Sequence, residues 1–148
     1  MSELDEFDIK LLEQVQQNNK LTAQELGEIV GLSPSAVQRR LTRLREDRVI
    51  EADISIVSPV VMGVGLICIV DIVLQEGHAG ALNKFKTAMQ GCPLVRQCYY
   101  VTGTYDFVLI VHARDMADYE DFTRTWLTDD LLLKHFYTHV VMERVKTN

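Results

Sequence analysis

The sequence predicts an α+β chain in two halves: three short helices, then a strand–helix–strand–strand–helix–strand sandwich, with an extended linker between them. Three observations predict it. Apolar residues across positions 4–46 recur at helical spacing, and the stretch carries its own helix-start signals. That rhythm stops over 49–62. Beyond residue 63, strand-like apolar runs alternate with helical ones.

Leu4, Phe7, Leu11, Leu12 and Val15 form the first helical stripe, with Ser2 and Asp5 spaced as a capping pair. Asn18, Asn19 and Lys20 break it. Thr22 to Glu25 reads as a capping box, and Leu26, Ile29 and Val30 give the second helix its stripe. Gly31 suits a left-handed helix end. Ser33 and Pro34 then restart the chain as N-cap and first helical residue, and the third helix runs to about Glu46. Helix, three-residue turn, helix is the helix-turn-helix pattern, here in a winged-helix-like domain.

Advancing about 100° per residue, the third helix turns Val37, Leu41 and Leu44 inward. Ser35, Arg39, Thr42 and Arg43 point the other way, flanked by Gln38, Arg40 and Arg45. Such a face suits a DNA major groove. Arg bridges a guanine edge, Gln an adenine edge, and Ser or Thr holds phosphate. The candidate DNA-binding set is therefore Ser33, Ser35, Gln38, Arg39, Arg40, Thr42 and Arg43. The competing reading is a small helical bundle with a solvated arginine face. Net charge is −6, yet residues 35–45 hold four arginines and no acid, so distribution outweighs the sum.

Residues 51–62 are the expected linker strand, closing on Ser58 and Pro59, and divide a 1–50 domain from a 63–148 domain. After it, strands are expected over 66–74, 94–101, 107–113 and 136–145. Helices are expected over 79–90, with Leu82, Phe85, Lys86 and Met89 on one side, and over 115–127, buried through Met116, Tyr119, Phe122 and Trp126. This order predicts a ferredoxin-like sandwich with both helices on one sheet face. The strand 66–74 is apolar on both faces, as is 107–111. A sheet face without helices should be polar if water covers it. The expectation is a homodimer formed by two such sheets, with the linker strand as a rival cover.

Other chemistry finds little support. Cys68, Cys92 and Cys98 are an odd count without C-x-x-C spacing, and Cys68 and Cys98 lie in apolar runs. His135 and His139 fall on a strand without the ligands that complete a zinc site. Gly63 and Gly65 precede a strand, whereas a dinucleotide fingerprint follows one. Asp129 and Asp130 read as a solvated turn. No catalytic, metal or cofactor site is expected. No apolar run reaches the roughly 18 residues of a membrane span, and the acidic start lacks a signal core, which predicts a cytoplasmic protein.

The stretch 101–107, VTGTYDF, admits two readings. It is a hairpin turn, with Gly103 at the bend and Asp106 bonding the turn. The alternative is a polar mouth for a small ligand: backbone N–H groups for a carboxylate, Asp106 for an ammonium, Tyr100 and Tyr105 as walls. Together these groups describe a free amino acid.

The segment LDEFDIKLLEQVQQNNKLTAQELGEIVGLSPSAVQRRLTRLREDRVI, the loop-strand VTGTYDFVLIV and the closing THVVMERVK resemble the Lrp/AsnC (leucine-responsive, feast/famine) regulators, in order and spacing, across essentially the whole chain. The resemblance implies a bacterial or archaeal transcription regulator. It implies dimers joined through the C-terminal sheets, octamers built from them, and amino-acid effectors bound between dimers near residues 102–106. It places Gly103 and Tyr105 in the effector pocket, with Asp106 reading the ligand or coupling its binding to assembly. Thr102 and Thr104 belong to the same loop, and Thr138 is a further candidate. Two alternatives use the same fold: a haem-biosynthesis decarboxylase-like enzyme, and an architectural DNA binder without a ligand.

Overall fold

The computed structural model describes residues 3–75 and 80–146. Ser2, the expected first cap, and Ala79, the expected start of the fourth helix, lie outside them. The chain divides into two compact units between Ile56 and Val57, inside the stretch expected to be a linker.

The first unit is three helices: α1 (Glu6–Gln17), α2 (Ala23–Val30) and α3 (Pro34–Glu46). Asp5 caps α1 in a reciprocal capping box with Asp8, and Thr22 caps α2 in another with Glu25. Leu11, Leu26, Val30, Val37, Leu41 and Leu44 form the core. Three expected stripe members stand outside it. Ile29 is exposed, and Leu4 and Phe7 lie at the margin. The buried α1 positions are Leu11 and an acid, Asp8, which is fully inaccessible. Residues 51–58 adopt no regular structure and 59–63 form turns. The expected linker strand finds no ladder within the described residues, and Ile54, Ile56, Val60 and Val61 are exposed.

The second unit contains β1 (Leu66–Leu74), α4 (Ala81–Gly91), β2 (Val95–Tyr100), β3 (Phe107–Ala113), α5 (Met116–Trp126), a short 3₁₀ turn (Asp129–Leu131) and β4 (Leu133–Val140). The sheet is antiparallel in the order β2-β3-β1-β4, the ferredoxin-like arrangement. β4 starts and ends earlier than expected. Leu132 is left-handed (φ 58°) and redirects the chain, and the last bond to β1, Val141 N–H to Ile67 O, lies at the start of that strand.

One sheet face, Cys68, Val70, Ile72 and Leu74 of β1 with Phe107, Leu109, Val111 and Ala113 of β3, packs on Phe85 and Met89 of α4 and Tyr119 and Phe122 of α5. Lys86, Met116 and Cys98 are exposed instead, while Leu82 and Trp126 are partly buried. The opposite face is apolar at its centre. Ile69 pairs with Ile110 and Asp71 with Val108, while Ile67, Ile69, Val73, Val108 and Ile110 are only partly buried. β4 adds His139 beside Ile69, with its Nε2 3.0 Å from an Asp71 carboxylate oxygen.

Candidate functional site

Two constructions stand out, one in each unit. The first is the outer face of α3. Its position follows from a tight turn: the amides of Gly31 and Leu32 both donate to the Gly27 carbonyl, and a Cβ at Gly27 would sit 2.4 Å from the Leu32 oxygen. Only glycine lets α2 and the turn approach so closely. Ser33 Oγ then accepts the Ala36 amide at 3.3 Å, and Pro34 occupies the first turn.

Ser35, Gln38, Arg39 and Thr42 are exposed on this face, and among the described residues Arg39 makes no ion pair. The other arginines are engaged. Arg40 Nη1 lies 2.7 Å from Asp5 Oδ2 and 2.8 Å from Asp8 Oδ1, with its guanidinium over the Phe7 ring. Arg43 Nη2 donates to the other Asp8 oxygen, and its Nε is buried without a partner. Arg45 Nε donates to Asp53 at 2.8 Å. Burial works to raise the Asp8 carboxyl, but hydrogen bonds from Arg40, the Asp5 amide and Arg43 outweigh it and hold Asp8 below its usual range. The structure thus places Arg40 and Arg43 beside α1, and Ser35, Gln38, Arg39 and Thr42 on the open face. Ser33 has its hydroxyl turned to the helix cap.

Sequence reasoning missed Asp5 and Asp8 as partners of this face. The signal was present: position 8 continues the spacing of Leu4, Leu11, Leu12 and Val15, so an acid there points inward.

The second construction is a cleft of about 340 Å³ in the C-terminal unit, lined by Leu74, Leu82, Tyr100, Gly103, Thr104, Asp106 and Lys134 among others. Gly103 bends the β2–β3 loop at φ 109°, a backbone state that L side chains rarely adopt. The loop joins the sheet's edge strand to a central one. The Val101 amide donates to Asp106 O, and the Asp106 amide to Ile72 O. The β1–β3 ladder ends at Ile72 and Phe107. Two residues on, the Leu74 amide finds the Asp106 carboxylate at 2.7 Å in place of a strand carbonyl.

The cleft therefore collects Tyr100, Gly103, Thr104 and Asp106. Thr102 does not line it. Tyr105 packs edge-on against Tyr137, and the Thr138 hydroxyl lies 2.5 Å from Tyr119 OH. Lys134, absent from the sequence-based set, brings a cation opposite in charge to Asp106. Only the pairing of β4 with β1 places it there. A larger cleft of about 480 Å³ runs beside β2, with Lys86, Arg96 and Tyr100 but no carboxylate.

Comparison with known proteins agrees with this two-part construction. Residues 4–51 match a winged helix-turn-helix DNA-binding family and residues 67–148 the Lrp/AsnC ligand binding domain. An uncharacterized HTH-type transcriptional regulator of Sinorhizobium fredii is 50% identical, over 97% of this chain and 85% of that protein. The leucine-responsive regulatory protein of Haemophilus influenzae is 34% identical, over 97% and 86%. The crystal structure of a Neisseria meningitidis transcriptional regulator in complex with L-Met superposes with a TM-score of 0.88 at 28% identity, covering 98% of this chain and 94% of that one. With helix-turn-helix and ligand-binding units both matched, and in this order, the chain belongs to the Lrp/AsnC family of transcriptional regulators.

Proposed function

We propose that this protein is a cytoplasmic, non-enzymatic regulator whose DNA affinity responds to a free amino acid held in the cleft around Asp106. The carrying observation is the charge pair in that cleft. Asp106 offers a carboxylate to an α-ammonium, while Lys134 and the backbone at Gly103 and Thr104 suit an α-carboxylate. Tyr100, Leu82 and Leu74 supply an apolar wall for the side chain. Thr102, Tyr105 and Thr138 support the loop and β4 in this reading. The L-Met complex of the Neisseria regulator supports the ligand class. One lysine and one carboxylate make a poor cradle for a polycarboxylate tetrapyrrole, so the decarboxylase alternative gains no support.

Two chains pair through the apolar sheet faces centred on Ile69 and Ile110, and such dimers build a larger assembly, an octamer in this reading. The exposed apolar residues 54–62 favour a further contact with the second copy. Each dimer presents two α3 helices, with Arg39, Gln38, Thr42 and Ser35 toward the major groove, Ser33 near the phosphates, and Arg40 and Arg43 flanking that face while tied to Asp8. The amino acid shifts the assembly, and with it the number of helices that engage DNA together. A thermal-shift screen of the free amino acids, methionine and leucine first, tests this. A ligand that binds the folded state raises the melting temperature, by about 2.7 kcal/mol of stability at a hundredfold excess over Kd. No shift with any amino acid defeats the reading.

A further inference from the structure

Four arginines lie on α3, but they do not present equal charge to a partner. Arg39 is exposed and unpaired among the described residues, whereas Arg40 and Arg43 converge on Asp8. We propose that Asp8, assisted by Asp5, sets the sequence-independent affinity of the DNA interface: it holds the Arg40 and Arg43 guanidinium groups back from DNA phosphates, so that binding depends more on the exposed residues around Arg39. This rests on the reading of α3 as the DNA-contacting helix.

Three observations carry it. Asp8 is wholly inaccessible although it belongs to the first turn of a short helix, where acids ordinarily stand in water. Both its oxygens are taken, Oδ1 by Arg40 and Oδ2 by Arg43, and Oδ2 also accepts the Asp5 amide at 3.2 Å. Arg43 meanwhile leaves its buried Nε unpartnered. A buried ion cluster of this kind is weak evidence for stability, since an apolar residue of similar volume often serves as well or better. Its distinctive consequence is electrostatic. Two positive charges are drawn toward α1 and neutralised there, beside a third charge that is not.

The consequence for DNA follows from counterion release. Sequence-independent affinity grows with the number of phosphates neutralised, and each adds about 0.9 to the slope of log K against log salt. A guanidinium already bound to a buried carboxylate has less to offer a phosphate. Holding two of them back lowers binding to any duplex, while contacts to base edges keep their preference. Asp8 thereby lowers the sequence-independent part of the affinity and its salt dependence, and leaves the base preference as it is.

The experiment uses the full chain and two probes: poly(dI-dC), and a duplex selected by the wild-type protein from a random pool. Dissociation constants are measured by fluorescence anisotropy across a salt series. Asp8→Asn is expected to steepen the poly(dI-dC) slope by about one to two, and to tighten low-salt binding to both duplexes by a similar factor. Asp5→Asn, which keeps a good N-cap residue, is expected to move both quantities the same way by less. A folded Asp8→Asn protein with an unchanged or shallower slope, or with unchanged low-salt affinity for poly(dI-dC), overturns the proposal. If circular dichroism shows that Asp8→Asn does not fold, Asp5→Asn decides, and an unchanged slope there overturns it. Arg39→Ala separates the two layers. If it weakens binding to the selected duplex while the acid variants change nothing, the role of Asp8 alone falls. If it leaves that binding intact, α3 is not the DNA-contacting helix and the proposal falls with that reading.

Discussion

The Asp106 carboxylate accepts the Leu74 backbone amide at 2.7 Å, continuing the β1–β3 ladder with a side chain where strand pairing has ended. The proposed ligand reader is therefore also a structural clasp. The two roles separate by substitution. Asp106→Ala leaves a partly buried amide without an acceptor and should cost about 1–2 kcal/mol of stability. Asp106→Asn retains an acceptor oxygen but loses the charge. It should melt near the wild-type temperature and lose the amino-acid-induced shift. Thermal melts with and without methionine compare the pair; a full shift in Asp106→Asn would remove Asp106 from ligand recognition.

Ile110 lies opposite Ile69 on the sheet face that no helix covers. It contributes nothing to the core between sheet and helices. Ile110→Lys should therefore leave the C-terminal unit folded while placing a charge at the centre of the proposed dimer face. Light scattering after size exclusion should show a monomer where wild type shows a dimer or larger. An unchanged mass would point to a different interface, such as the exposed apolar stretch 54–62.

Most of the fold was legible because local rules and tertiary context agree. Capping at Thr22 and Ser33, the break at Gly31 and the two-faced apolar pattern of β1 each have one physical reading. The misses share a cause. The linker's extended pattern has no ladder within the described residues, and a strand is defined by its partner. Ile29 and Met116 fit a stripe by spacing, yet they face outward because nothing packs over them. Of the cleft lining, Gly103 and Asp106 were legible from turn chemistry. Lys134 was not, because it lies thirty residues away and reaches the cleft only through the β1–β4 register. Likewise, the arginine face was legible but not its neutralisation, which depends on how α1 crosses α3.

Arg39 and Arg40 are neighbours in sequence with opposite environments. Arg39→Ala should weaken DNA binding by about 1–3 kcal/mol if it reads a base, with no change in melting temperature. Arg40→Ala removes one of two cations from the buried Asp8. It should cost about 2 kcal/mol of stability, below the range for an ion left wholly unpaired because Arg43 remains. Footprinting and thermal melts on the same preparations distinguish the two, and equal melting temperatures would contradict a stabilising role for the Arg40–Asp8 pair.

Asp8 also sets a pH dependence. Its carboxyl is held below its usual 3.8 in the folded chain, because the Arg40 and Arg43 hydrogen bonds and the Asp5 amide outweigh burial. A depressed folded value means that the stabilisation is complete above the unfolded value and lost as pH falls through the folded one. The melting temperature should be insensitive to Asp8 near neutrality and fall with acid below about pH 4. Asp8→Asn should flatten that acid limb. An identical acid limb in the variant would show that Asp8 is not the titrating group.

His112, on the sheet face proposed to dimerise, gives a separate window. Burial, then the charges of Arg96 and Arg144, hold its imidazole below the usual 6.5. The unfolded chain therefore takes up the proton first, and uptake draws the equilibrium toward unfolding. Nothing is lost above 6.5; stability falls as pH drops below it and levels off beneath the lower folded value. A second copy seated on this face would bury the ring further and deepen the effect. His112→Gln should remove the decline in melting temperature between about pH 6.5 and 5 while leaving the acid limb of Asp8 in place. Dimer mass measured over the same range should fall with pH in wild type and hold in the variant. A decline that persists in His112→Gln would show that His112 is not the titrating group.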